Sequence, residues 1–161
     1  MDFTLAQDIA APIDAVEAAL VDAAFLARMA ELPKLGSAEV LAQERDGDLV
    51  RQQVRYLFRA DLSRAVTAVV DPDRLTWVEE SECDLAAHHT TCVIQPDHYA
   101  SLLAGRYEAV LKTAGATTQR TITGSIKVRM PLVGGKVERA IVSGLGENAV
   151  AQTALLTDWL R

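Results

Sequence analysis

Few residues in this 161-residue chain are of types that do chemistry, and most of them stand at spacings that count against it. Glu79, Tyr56 and Tyr107 are the exceptions. If a fold buries them around one space, desolvation raises the carboxyl's pKa and the group can then give or take a proton. His88, His89, Cys92 and His98 form the only cluster of soft metal ligands. His88 and Cys92 fall four apart on a predicted strand and share a face, but the strand rise separates them by roughly 13 Å, too far to share an ion directly. No metal is expected, and the histidines read as polar residues at strand ends. A serine nucleophile would call for a Gly-x-Ser-x-Gly elbow, and a dinucleotide site for a Gly-x-Gly-x-x-Gly turn after a strand; neither occurs. No catalytic residue and no cofactor is assigned, and whether the chain is an enzyme stays open.

The stretch Lys127 to Leu145, KVRMPLVGGKVERAIVSGL, offers Gly134, Gly135 and Lys136 as a phosphate cradle. A P-loop needs two glycines five apart, the second followed by Lys-Ser/Thr, so that backbone N–H groups wrap the phosphates and a hydroxyl holds magnesium. Here Val137 follows Lys136 and the upstream spacing is also wrong. The reading preferred is a corner: Met130 is pushed to extended geometry by Pro131, the two glycines turn the chain, and a helix begins.

Composition narrows the class further. Half the residues are hydrophobic and the formal charge is −6, enough for one domain over residues 1–161 with a substantial core. With no Lys/Arg-rich run, neither a nucleic-acid footprint nor electrostatic attachment to anionic lipid is expected. Arg51, Arg55 and Arg59 read as one solvated face. No apolar segment approaches the ~20 residues of a membrane span. The first residues, MDFTLAQDIAAPID, are acidic where a signal peptide would be basic, so the expected compartment is the cytoplasm, with Cys83 and Cys92 as thiols.

The elements that must position these residues follow from periodicity. Phe3, Leu5 and Ile9 alternate with Thr4, Ala6 and Asp8, a strand with one buried face. From Pro12 the period becomes helical through Val16, Ala19, Leu20 and Ala23, with a break near Asp22 and a stop at Pro33 and Gly36. Two strands then meet at Asp46-Gly47, a tight hairpin signal; in the second, Val50, Gln52, Val54, Tyr56 and Phe58 face inward. The segment ADLSRAVTAVVDPD holds a short helix. Further strands are predicted at about 74–82, 88–95, 106–113 and 118–130, the last with Ile122, Gly124, Ile126, Val128 and Met130 on one side. A C-terminal helix carries the stripe Val137, Ala140, Ile141, Leu145, Leu155, Leu156 and Trp159. Six consecutive strands joined by short turns make an antiparallel meander, the first strand joins its edge, and the long helix buries its stripe on the concave face.

That plan, an α+β helix-grip fold with a curved antiparallel sheet wrapped around a long C-terminal helix, resembles the START-like (SRPBCC) superfamily of polyketide cyclases, lipid-transfer domains, pollen-allergen-like proteins and plant hormone receptors. MPLVGGKVERAIVSGL, followed by TDWL at Thr157 to Leu160, resembles more specifically a bacterial family of uncharacterised proteins within it. The resemblance implies a fold and a cavity, and no catalytic residues. Inward parity offers Gln52, Tyr56, Trp77, Glu79, Tyr107 and Gly124 from the sheet, and Ile141 and Leu145 from the helix, as ligand contacts. The expected function is binding of a hydrophobic or amphipathic small molecule, without catalysis. The alternatives are a cofactor-independent enzyme of the polyketide cyclase or dehydratase type, using Glu79, Tyr56 or Tyr107 in the same cavity, and a protein-binding adaptor whose core is filled by its own side chains. Gly144 and Gly146 in the helix either let it approach the sheet or a ligand closely or mark a kink or break, with close packing or a kink preferred to ligand contact.

Overall fold

A computed structural model describes Met1 to Arg161. The chain opens with strand β1 (Asp2–Ile9), continues through helices α1 (Ile13–Leu20) and α2 (Ala23–Arg28), and then runs strands β2 (Leu35–Asp46) and β3 (Leu49–Phe58). A single helical turn, α3 (Arg64–Thr67), leads to β4 (Thr76–Asp84), β5 (His89–Pro96), β6 (Leu103–Ala114) and β7 (Thr117–Val128), and α4 (Gly134–Trp159) completes the chain. All seven strands form one sheet in the order β1-β7-β6-β5-β4-β3-β2, antiparallel throughout. The sheet curves around α4, which is the START-like helix-grip arrangement.

Local chemistry accounts for the turns. Gly47 and Gly115 take φ of 59° and 64°, a left-handed geometry that costs a glycine nothing, and each closes a tight hairpin. Asp22 separates α1 from α2 as a cap, its Oδ1 accepting from the N–H groups of Ala24 (2.7 Å) and Phe25 (3.3 Å). His88, expected in a strand, instead has φ 54° and sits in the β4–β5 turn. The corner before α4 also differs from expectation. Its left-handed residue is Leu132, with φ 69°, whereas Gly134 and Gly135 already belong to the helix. Gly134 is required there by proximity, since a Cβ on it would lie 2.6 Å from the Val128 carbonyl oxygen.

Alternation decides which face is buried. Val50, Gln52, Val54, Tyr56 and Phe58 of β3 point inward, and so do Thr118, Arg120, Ile122, Ile126 and Val128 of β7. The opposite face of β3 is laced with ion pairs, Arg51 to Glu82 at 2.9 Å and Arg55 to Asp97 at 3.0 Å. Helix α4 packs over β1 and β7 at one side of the sheet. The inner faces of the central strands therefore look onto space that the helix backbone does not fill.

Near its middle α4 does come close to β3. A Cβ on Gly144 would lie 2.9 Å from Cζ and 3.0 Å from Cε2 of Phe58, and that ring is in turn stacked edge-on against Trp77, 6.1 Å between centroids. Close packing is thus the role of Gly144. Alanine gains about 1 kcal/mol of helix propensity, but overpacking typically costs ~1–3 kcal/mol, and here the ring has Trp77 behind it. Gly144→Ala is expected to destabilise by about 1 kcal/mol in urea unfolding; a variant more stable than the parent would mean the ring yields freely.

Candidate functional site

The space between the central strands and α4 is a cavity of about 220 Å³. Its walls are mostly apolar: Val54 and Phe58 from β3, Ile94 from β5, Ile122 and Ile126 from β7, Leu26 and Met29 from the α2 region, and Val137 and Ile141 from α4. It reaches the surface beside Arg74, an exposed residue that also lines it. There the rim is tied together. Arg74 approaches His98 Nδ1 at 3.1 Å and lies over the Tyr99 ring at 5.7 Å, while the Tyr99 hydroxyl accepts from the Asp71 N–H at 3.0 Å.

Two polar groups interrupt the apolar walls. On β4 and β6, the Tyr107 hydroxyl donates to Glu79 Oε2 at 2.9 Å, and the Trp77 indole N–H reaches Glu79 Oε1 at 3.4 Å. The register places Trp77 and Glu79 two apart on one strand, hence on one face. On β7 and β1, Arg120 Nη1 donates to Gln7 Oε1 and to Gln152 Oε1, both at 3.0 Å. Gln7 Nε2 is held in turn by the Ala149 carbonyl at 2.8 Å, so the β1 edge, β7 and α4 share one buried network.

The electrostatics follow from exclusion of water. Burial, the dominant influence, raises the Glu79 carboxyl above its ordinary 4.5, against the lowering effect of hydrogen bonds from Tyr107 and Trp77 and of the Arg120 charge. Burial likewise pushes the Tyr56 and Tyr107 phenols well above 10.0, so both stay neutral donors. It also draws the Arg120 guanidinium below its ordinary range, although a guanidinium remains charged in a protein.

A pH-dependent stability follows from Glu79. Its folded pKa lies above the unfolded one, so folding favours the neutral carboxyl; that contribution is complete below pH 4.5 and is lost as pH rises through the raised value. Glu79→Gln keeps a carbonyl acceptor for Tyr107 and carries no charge. It is expected to match the parent in acid and to be more stable at neutral pH and above, as measured by chemical denaturation across pH. A stability difference that does not change with pH would show that Glu79 titrates alike in the folded and unfolded chain, and that burial does not raise its pKa.

The residues expected from the sequence divide clearly. Gln52, Tyr56, Trp77, Glu79, Tyr107, Ile141 and Leu145 all line the cavity. Gln52, however, has its amide engaged elsewhere: Nε2 donates to the Leu20 carbonyl at 3.3 Å, and Oε1 accepts from Gln43 at 3.0 Å, tying the end of α1 to the sheet. Gly124 lies outside the cavity, beneath Phe3 and Tyr107, where an added Cβ would meet their side chains at 2.7 Å. The histidines disperse, His88 to Glu17 at 2.9 Å and His89 to Glu108 at 3.2 Å, and Cys83 and Cys92 are free and buried. Sequence reasoning misses Arg120, Gln7 and Gln152. Parity was the available signal for two of them, because Arg120 stands two before Ile122 and Gln7 lies between Leu5 and Ile9.

With this geometry in view, comparison with solved structures supports the fold. A protein from Thermus thermophilus is 19% identical, with a TM-score of 0.69 over 99% of this chain and 97% of that one. The Zhui aromatase/cyclase from a Streptomyces species is 18% identical, with a TM-score of 0.70 over 99% and 93%. A START superfamily protein from Mycobacterium smegmatis is 13% identical, with a TM-score of 0.58 over 98% of both chains. Such low identities carry the fold and no activity. No curated protein matches the chain in sequence. No helix is long and apolar enough to cross a membrane. The model of the family described as "Protein of unknown function (DUF2505)" matches residues 4–160, and the chain belongs to that family.

Proposed function

We propose that this protein binds a hydrophobic or amphipathic small molecule in the cavity between the sheet and α4, with Tyr56, Trp77, Glu79, Tyr107, Ile141 and Leu145 among the contacts. The observation that carries the reading is the unfilled space itself, about 220 Å³ behind mostly apolar walls. A protein that used this fold only as an adaptor would gain stability by filling it, since packing to near-crystalline density is the rule for interiors. An engineered apolar cavity of about 150 Å³ already takes benzene, so this one suits a body of about two fused rings or a short branched chain.

A second reading has its own support. The Tyr107 hydroxyl bonded to a half-buried carboxyl is an arrangement suited to proton transfer, and aromatase/cyclases share the fold. On this reading the bound molecule is cyclised or dehydrated rather than only held.

Native mass spectrometry of the protein from its expressing cells, against the same sample denatured, tests the first reading. An adduct present only in the native spectrum supports binding and supplies the ligand's mass. A bare chain that also takes up none of a panel of ring-sized apolar probes would sink it. Incubating a recovered ligand with fresh protein then separates the two: a product lighter by one water, absent with Glu79→Gln, would establish the enzyme.

A further inference from the structure

One group in the cavity is incompletely bonded. The only enclosed side-chain nitrogen or oxygen without a hydrogen-bond partner is Arg120 Nε. The Arg120 side chain is 8% exposed and lines the cavity. Its hydrogen bonds to the protein leave from Nη1 alone, to Gln7 and Gln152, and no carboxylate lies within ion-pair distance. Glu79, the only acid among the lining residues, gives its oxygens to Tyr107 and Trp77 instead. A buried cation without a bonded counter-ion is costly to keep, and the protein supplies none.

We infer that Arg120 anchors a carboxylate, and that the ligand of this cavity is an amphipathic monocarboxylate whose apolar body fills the space beneath α4. The inference rests on the ligand-binding reading above. The edge of the guanidinium formed by Nε and Nη2 carries two parallel N–H groups, the fork that matches the two oxygens of a carboxylate. Gln7 and Gln152 hold the opposite side, so the guanidinium is oriented before the ligand arrives. Nε is enclosed in the empty protein, so pairing through it requires the guanidinium to turn while Gln7 and Gln152 keep hold of Nη1. One arginine and its fork suit a single planar carboxylate better than a phosphate, which would leave oxygens without donors behind these apolar walls. The titratable groups whose charge reaches Arg120 are Tyr107 on β6, Glu79 and Cys83 on β4 and Tyr56 on β3, and none of them supplies a second cation.

The test compares two probes of equal shape, 2-naphthoate and 2-naphthamide, by calorimetric titration of the full chain at neutral pH. The unmodified protein is expected to prefer the carboxylate by about tenfold, or ~1.4 kcal/mol, because charge-assisted hydrogen bonds are roughly twice as strong as neutral ones. Arg120→Met is expected to abolish that preference while leaving naphthamide binding in place, and Arg120→Lys to restore part of it through charge without the fork. Equal affinity for both probes in the unmodified protein, or a preference that survives in Arg120→Met, would overturn the anchor and leave the cavity reading standing. Failure of both probes to bind would overturn the two together. The unmodified protein alone decides between these outcomes should Arg120→Met fail to fold.

Discussion

Gly124→Val is expected to be the most damaging single substitution at the sheet, costing at least about 3 kcal/mol and lowering the melting temperature by about 10 °C, since 1 kcal/mol corresponds to ~2–4 °C in a chain of this size. Gly124 pairs with Phe3 across β1 and with Tyr107 across β6. An added Cβ would lie 2.4 Å from the Arg106 carbonyl oxygen, 2.7 Å from Phe3 Cζ and 2.7 Å from Tyr107 Cβ. Two of these atoms sit on or beside the backbone of β6, so no rotamer change clears them; the strands themselves must separate. Phe3 is 8% exposed and covers the glycine, the way an aromatic on a neighbouring strand shields a glycine's bare backbone. Moving β6 also moves Tyr107 off Glu79, so the substitution is expected to weaken probe binding in any fraction that folds. Equilibrium unfolding with the parent's midpoint would show that the β1–β7–β6 corner opens easily and that this account is wrong.

Gly124 also illustrates what a sequence can and cannot carry here. Its inward parity was legible from Ile122 and Ile126 on either side, and parity alone suggested a ligand contact. What lies above it depends on β1, which pairs with β7 through residues more than a hundred positions away; no local pattern encodes that Phe3 lands on this glycine. The same logic holds for the rest of the site. Strand alternation was enough to turn Tyr56 inward, because a period of two fixes a face whatever the partner strand, whereas β4 alternates too poorly to give Glu79 the same signal. The strand–helix–meander–helix order was enough for the grip, because short antiparallel connections leave few topologies.

Buried polar groups were not legible in the same way. Glu138, Asn148 and Gln152 interrupt the apolar residues of α4, and the stripe traced from the sequence passes over them. In the fold Glu138 Oε1 accepts from the Val128 N–H at 2.9 Å, and Asn148 Oδ1 accepts from the Lys34 N–H at 2.9 Å. Each meets a backbone donor at the end or outside of a strand ladder, where a buried N–H must find some acceptor. That partner exists only once the helix has docked, so nothing in the helix's own sequence announces it. At the corner before α4, the glycines suggested the left-handed residue, whereas Leu132 takes that geometry fully exposed and Gly134 answers to the Val128 carbonyl instead.

Phe25→Ala is expected to cost ~3–5 kcal/mol, the range for deleting a buried aromatic ring. Phe25 has no exposed surface and meets Trp159 edge-on at 5.6 Å between centroids, while Arg28 lies over the same indole at 6.0 Å. Helix α2 has only six residues, far too few to persist alone in water. Its order depends on the Asp22 cap and on this ring, and the last turn of α4 depends on the same contact from the other side. The consequence reaches the cavity, because Leu26 and Met29 line it and Met29 Sδ accepts from Gln152 Nε2 at 3.4 Å, next to the bonds that orient Arg120. Loss of the ring is therefore expected to lower stability and also to erode the preference for 2-naphthoate over 2-naphthamide. Phe25→Leu, which keeps most of the apolar volume, is expected to lose less of both. If Phe25→Ala cost under about 1 kcal/mol, a surface-like value, the α2–α4 contact would not be what closes this end of the grip, and the cavity's shape there would have to be set by the sheet alone.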